Sequence, residues 1–188
     1  MSMGIRRWRG TIDVPLTDRG KRQAANLAGL ELDAIYYDHL SRCRDTASLI
    51  GANVYFESSG PRPWNMGELF EGREITDDSL KLARYYILNP LAKPPKGEPF
   101  DRWAAWWLSW INGLKTGFGA VGVVTHNRNI QYLYSLHSDK FVYKLYDCDG
   151  PDFCTVHVYN MGHIAPWGGK GAPKGIYLIR HGETSFGT

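Results

Sequence analysis

Apolar and polar positions along the chain follow two periods, and the segments holding each one predict helices interleaved with strands. Pro15-Leu16-Thr17-Asp18 opens a helix with Thr17 as N-cap, running through Gln23, Ala24, Leu27 and Ala28 and stopping near Gly29. Residues 33–38, Asp-Ala-Ile-Tyr-Tyr-Asp, read as a short buried strand, followed by a helix over 44–50 and a strand over 54–56. Residues 58–74 are rich in Gly and Pro without a sustained period, the pattern of a loop that carries function or packs over a site. A helix follows over 77–88, and four prolines between 90 and 99 then interrupt regular structure. The next helix begins at Phe100 or Asp101, with Trp103, Trp106, Trp107 and Trp110 at i, i+3, i+4 and i+7 and with Ile111 and Leu114 extending the stripe. That spacing predicts a core-facing surface rather than a cofactor box.

The second half adds strands. Val121-Gly122-Val123-Val124-Thr125 is an apolar run of the parallel-strand type, and His126 stands at its carboxyl end, where open α/β sheets gather ligands. Residues 155–159 alternate and lead into Asn160-Met161-Gly162-His163, which predicts a hairpin at the edge of the sheet. Residues 168–175 have the composition of a linker; no correctly spaced Gly-Lys is followed by Ser or Thr, so they form no phosphate-binding Walker loop. Ile176-Tyr177-Leu178-Ile179 is a further apolar strand that runs into Arg180-His181-Gly182-Glu183-Thr184. The alternation predicts an α/β fold.

Composition narrows the class. At 188 residues, 43% hydrophobic and 13% aromatic, the chain has apolar surface enough for one folded domain over 1–188. The formal charge of +3 falls short of the clustered excess of a dedicated nucleic-acid binder, which weighs against reading Arg6, Arg7, Trp8 and Arg9 as a nucleic-acid surface. Cys43, Cys148 and Cys154 are odd in number and widely spaced, so a disulfide framework is not expected. With no long apolar run and no signal-like start, the expectation is a soluble cytoplasmic protein that binds no membrane. A zinc site from Cys148, Cys154, His157 and His163 fails because Cys154 and His157, three apart in a strand, face opposite ways. No metal or other cofactor is expected, and His39, His137, His157 and His163 are read as structural.

Arg180-His181-Gly182-Glu183-Thr184 at the end of a hydrophobic strand resembles the signature of the histidine phosphatase, or phosphoglycerate mutase-like, superfamily. In that family the signature lies near the amino terminus, and residues 7–20 here resemble the stretch directly after it. Joining residue 188 to residue 1 restores the family order. The chain is therefore expected to be a circular permutant, with 168–175 joining the original termini and 176–188 the permuted signature strand and loop. Leu40-Ser41-Arg42-Cys43-Arg44-Asp45-Thr46-Ala47 resembles the segment with the second phosphate-binding Arg, here Arg42. Phe70-Glu71-Gly72, Gly97-Glu98 and Val124-Thr125-His126-Asn127 resemble further family segments, although Pro99 replaces a Ser.

The resemblance implies a three-layer α/β/α sandwich with a mostly parallel sheet, and a metal-independent phosphatase acting on a small phosphomonoester. His181 would form a phosphohistidine, Arg180 and Arg42 would clamp the nonbridging oxygens, and His126 would donate to the transferring group. Two guanidinium forks and two imidazoles can supply that charge stabilisation without a metal. Arg9, Gly10, Thr11 and Asn127 are candidate substrate contacts. The general acid departs from the pattern: the position where many members carry a Glu is Pro63, which leaves Glu68 first and Glu71 second in the same loop.

A phosphatase ranks above a mutase because the chain has little sequence to spare for capping segments. The reading from another class is a non-catalytic phosphate-binding or scaffold protein with a loosened site. Expected partners are a small phosphorylated substrate or inorganic phosphate, and a terminal signature strand invites strand exchange into a homodimer.

Overall fold

A computed structural model describes residues 6–89, 91–114, 117–136, 151–160, 162–169 and 172–184; His137 and Cys148 lie outside them. Thr17 caps the first helix, α1 (Asp18–Ala25), its hydroxyl accepting from the Gly20 N–H at 2.9 Å. This helix ends short of the predicted Gly29, and a 3₁₀ turn over Ala28–Leu30 takes up the remainder. Strand β1 (Leu32–Tyr37), α2 (Ser41–Ile50) and β2 (Ala52–Glu57) complete the strand–helix–strand unit, with α2 starting three residues before the predicted Arg44. Next come α3 (Asp77–Leu88), closed at its start by a Thr76–Ser79 capping box, and α4 (Phe100–Gly113). Strand β3 (Ala120–Thr125) runs into a helix the periodicity did not predict, α5 (Asn127–Ser135), capped by the backbone of His126. The hairpin β4 (Val156–Asn160) and β5 (His163–Pro166) and the strand β6 (Gly175–Arg180) complete the order. Gly175, expected within a linker, is the first residue of β6.

The six strands form one sheet in the order β2-β1-β3-β6-β4-β5. From β2 to β6 the pairings are parallel, and β4 joins β6 and β5 antiparallel. Alternate residues of β3 and β6 feed two cores on opposite faces. Val123 and Leu178 join Trp64, Phe70, Trp103 and Trp107, whereas Val124 and Ile179 join Ile35, Cys43, Ala47 and Ile50. This is the expected mostly parallel α/β sheet with helices on its faces. Every residue of β3 is buried, as a continuous apolar run between two layers requires.

The tryptophan stripe of α4 is corrected at one position. Phe100, Trp103, Trp107 and Ile111 form its buried face, while Trp106 turns out, 46% exposed, and donates its indole N–H to the Ser59 carbonyl at 3.2 Å. Among the described residues no helix is long and apolar enough to cross a membrane.

Candidate active site

Three neighbouring parallel strands deliver polar residues at their carboxyl ends: Asp38 after β1, His126 after β3, and Arg180 and His181 at the end of β6. The register places Thr125 beside Arg180, and the His181 N–H donates to the Thr125 carbonyl at 3.1 Å. The His126 and His181 rings consequently stand 5.2 Å apart, centroid to centroid, both buried. His181 Nδ1 lies 2.8 Å from the Gly182 carbonyl oxygen, which can only accept. The proton therefore sits on Nδ1, leaving Nε2 a lone pair.

The signature loop is fixed by close packing. The Gly182 N–H donates to Thr46 Oγ1 at 3.0 Å, and the Thr46 hydroxyl donates to the Arg42 carbonyl at 2.7 Å, tying the loop to α2. The Glu183 N–H donates to Gln23 Oε1 at 3.0 Å, and the Thr17 N–H to the Glu183 carbonyl at 2.9 Å. A Cβ at Gly182 would meet the Gly20 carbonyl oxygen at 2.5 Å, and one at Gly20 would meet the Glu183 carbonyl oxygen at 2.0 Å. Glycine at both positions lets the loop lie on α1.

Arg42 is a buried side chain, 1% exposed. Its guanidinium donates to the Ile12 carbonyl at 2.6 Å and the Gly10 carbonyl at 2.8 Å, and its Nε donates to His126 Nδ1 at 3.4 Å. Loop 9–12 is in turn held by Glu71, whose carboxylate accepts from the Thr11 N–H at 3.0 Å, the Thr11 hydroxyl at 2.6 Å and the Met66 N–H at 3.1 Å. Gly10 adopts a positive φ of 47°, and a Cβ there would meet Glu71 Oε1 at 2.1 Å.

His126 Nε2 stands 2.6 Å from Asp38 Oδ2. With Arg42 donating to Nδ1, Nε2–H is the donor to Asp38, so the expected donation from His126 to a transferring group is corrected: its one ring N–H is taken by the carboxylate. Burial pushes the His126 imidazole below its ordinary value, Arg42 adding to this and Asp38 opposing it. Burial works against the Asp38 carboxylate, but His126 and Arg42 outweigh it and hold the carboxyl below its ordinary value. Burial, together with Arg42, His126 and Arg180, pushes His181 well below the usual range of an imidazole. The ring is neutral at neutral pH, the form in which a ring nitrogen can attack phosphorus.

These groups open onto a cavity of about 520 Å³. Of the residues singled out from the sequence, Arg9, Gly10, Arg42, His126, Asn127, Arg180 and His181 line it, and Pro63 lies in its wall. Thr11, Glu68 and Glu71 do not. Glu68 is instead ion-paired to Lys96 at 2.8 Å on the surface, and Glu71 is spent on the loop contacts above. The first and second choices for the general acid are thus drawn away from the cavity by nearer partners. Asp38 was missed as a site residue, although the rule that picks out His126 applies equally to the end of β1. Phe153 was missed as well; the Arg180 guanidinium lies 3.9 Å from its ring centroid.

The ligating atoms of Asp38, Cys43 and His126 all lie within 4.8 Å of one another, close enough to surround a metal ion. Asp38 and His126 are already satisfied by the hydrogen bond between them, and burial pushes the Cys43 thiol well above its ordinary value, away from the thiolate form that ligates.

A model of the histidine phosphatase superfamily (branch 1) matches residues 4–164. The chain belongs to that superfamily. Its members are phosphatases or mutases. Among solved structures, TTHB049 from Thermus thermophilus shares 26% identity at a TM-score of 0.55, covering 71% of this chain and 76% of that one. A phosphoglycerate mutase from the same organism shares 27% identity at a TM-score of 0.53 with the same two coverages, 71% and 76%. A protein from Escherichia coli str. K-12 substr. MG1655, provisionally assigned as an alpha-ribazole-5'-P phosphatase, aligns over 89% of this chain and 87% of its own at a TM-score of 0.62. Its 20% identity speaks to the fold alone. No functionally curated protein matches this chain.

Proposed function

We propose that this superfamily member is a metal-independent phosphatase that hydrolyses a small phosphomonoester through a phosphohistidine on His181. The observation that carries the reading is the neutral, buried His181, with Nδ1 held by the Gly182 carbonyl and Nε2 free to attack. In the first step Nε2 attacks phosphorus and the bond from phosphorus to the leaving oxygen breaks, that oxygen keeping the electron pair. In the second, water attacks phosphorus, the P–N bond breaks, and inorganic phosphate leaves with the imidazole restored. Arg42, held by two backbone carbonyls, and Arg180 supply positive charge for the nonbridging oxygens. Asp152 is the only carboxylate among the described residues lining the cavity. Esters with good leaving groups, which need no proton, are accordingly the better substrates.

Hydrolysis of p-nitrophenyl phosphate in EDTA tests the reading. The protein turns over, traps an acid-labile phosphoenzyme, and loses both on His181→Ala with its circular dichroism unchanged. A folded protein that binds phosphate without turnover would instead be the anion-binding alternative.

The order of segments is that of a circular permutant in this reading, since the family match covers 4–164 and the signature strand β6 comes after it in the chain. In the fold β6 is central, and its following loop returns to residues 9–17: Arg9 donates to the Thr184 carbonyl at 3.3 Å. A rearranged chain beginning at residue 174, running through 188 into 1 and ending at 173, keeps the activity and the melting temperature if this is right, and fails to fold if it is wrong.

A further inference from the structure

One short turn holds both the backbone and the side chain of Arg180. The Cys154 N–H donates to the Arg180 carbonyl at 3.0 Å, and the Arg180 N–H donates to the Thr155 carbonyl at 3.2 Å. The Arg180 guanidinium donates to the Pro151 carbonyl and lies 3.9 Å from the Phe153 ring centroid. Phe153 also stands 5.9 Å from His181, centroid to centroid. Cys154 takes a φ of 57° within that turn, a left-handed conformation that a residue other than glycine keeps only where its surroundings impose it.

The imposing contacts come from outside the cavity. Thr155 closes the turn on Asp152, whose carbonyl accepts from the Thr155 N–H at 3.2 Å and from the Thr155 hydroxyl at 2.8 Å. The hydroxyl spends its one proton there, so toward His157 Nε2, 3.0 Å away, its oxygen accepts. Burial pushes His157 down to about 4, so the ring is neutral at neutral pH. Nε2 carries its one proton, and Nδ1 accepts from the Tyr134 hydroxyl at 2.8 Å. A directed chain of hydrogen bonds thus runs from Tyr134 on α5 through His157 on β4 and Thr155 to the Asp152 carbonyl. Tyr134, His157 and Thr155 all lie outside the cavity lining, whereas Asp152, Phe153 and Arg180 are in it.

Resting on the reading of Arg180 as a clamp for the transferring phosphoryl group, we propose that Thr155 is a positioning residue for Arg180, held in place by His157 and Tyr134. While the hydroxyl is fixed by Nε2–H, the turn keeps Cys154 left-handed, and the Pro151 carbonyl and Phe153 ring stay where the guanidinium meets them. Without the hydroxyl, the Asp152 carbonyl keeps only the backbone donor, the turn relaxes, and the guanidinium moves with it.

Calorimetry with inorganic phosphate and turnover of p-nitrophenyl phosphate, measured on the same samples, test this. Thr155→Val keeps the shape of a half-buried side chain and does not threaten folding; it weakens phosphate binding and lowers kcat/KM by about tenfold each. Thr155→Ser, which keeps the hydroxyl, stays within about twofold of the unaltered protein in both. In an Arg180→Gln background Thr155→Val weakens phosphate binding no further, since the group it positions is gone. Tyr134→Phe, which frees His157 to change tautomer, gives a smaller loss than Thr155→Val and adds nothing to it. An unchanged phosphate affinity in Thr155→Val, an equal loss in Thr155→Ser, or a full loss that persists in the Arg180→Gln background would overturn the positioning role. Turnover in the unaltered protein that Thr155→Val leaves intact defeats that role alone. No turnover, with phosphate binding that depends on the Thr155 hydroxyl, defeats the phosphatase alone. A protein that neither turns over nor binds phosphate defeats both.

Discussion

Asp38 Oδ2 stands 2.6 Å from His126 Nε2, and the far side of the same imidazole accepts from Arg42 at 3.4 Å. The carboxylate thus decides which nitrogen of His126 holds the proton, and hence that Nδ1 can receive Arg42. Asp38 is itself fully buried and is steadied by the Leu40 N–H donating to Oδ1 at 3.1 Å. In this arrangement Asp38 is a positioning residue acting through His126 on Arg42, rather than a group that meets substrate.

Asp38→Asn keeps the size and removes the charge, so His126 loses its enforced tautomer. The expected result is a fall in kcat of tenfold or more with a smaller change in KM. A shifted imidazole ¹⁵N pattern for His126 should accompany it, a signature that a merely structural role would not produce. An unchanged nitrogen pattern would remove Asp38 from the relay.

In the proposed phosphatase reaction, His181 as nucleophile would set the acid limb of the pH profile. Its folded value lies well below the ordinary 6.5, so it takes up a proton only as the pH drops far below that. Activity toward p-nitrophenyl phosphate should therefore hold through pH 6.5 and decline only at markedly more acidic pH. Removing the Arg42 charge relieves part of the repulsion, and Arg42→Gln should move the acid limb upward toward 6.5 even as kcat falls. A limb centred on 6.5 in the unaltered protein counts against the buried, neutral nucleophile.

Glu68 and Glu71, the first and second choices for the general acid, should separate sharply. Glu71→Ala frees Thr11 and Met66 from their shared acceptor and loosens the carbonyls that hold Arg42. It should raise KM several-fold and cost about 1–3 kcal/mol of stability. Glu68→Gln removes an exposed, solvent-screened pair with Lys96 and should leave kcat/KM within about twofold. A hundredfold loss in the second variant would restore Glu68 as the acid.

His157 couples stability to pH. It is buried between Tyr134 and Thr155, with Nδ1 2.8 Å from the Tyr134 hydroxyl and Nε2 3.0 Å from Thr155 Oγ1. Burial pushes it down from 6.5 to about 4. Between those values the unfolded chain binds the extra proton, so stability rises with pH from about 4 to 6.5. His157→Gln should flatten that rise by about one proton in the slope of denaturation free energy against pH. An unaltered slope would assign the acid sensitivity elsewhere.

Much of the fold was legible because burial leaves a local record. β3 is a continuous apolar run since both its faces are covered, and α3 is bounded by a capping box, so both could be read from adjacent residues. α5 escaped because its N-cap, His126, makes no side-chain capping hydrogen bond, and because its buried residues include Asn129, Gln131 and Ser135, which break an apolar pattern. Trp106 was placed on the buried face of α4, but its indole N–H reaches the Ser59 carbonyl instead and leaves the ring 46% exposed, a tertiary contact that the spacing does not record.

By itself the sequence determined which chemistry is present: a family signature with His181 and Arg180, a second arginine at Arg42, a histidine after an apolar strand, and an alternation of elements that builds a parallel sheet. Those are properties of short segments, set by side-chain type and period. Only the tertiary structure decided which polar groups meet. Asp38 and His126 are 88 residues apart in sequence, and only the adjacency of β1 and β3 puts a carboxylate on that imidazole. Glu68 and Glu71 lie in one loop, yet one finds Lys96 and the other Thr11, because each carboxylate goes to the nearest donor the fold presents.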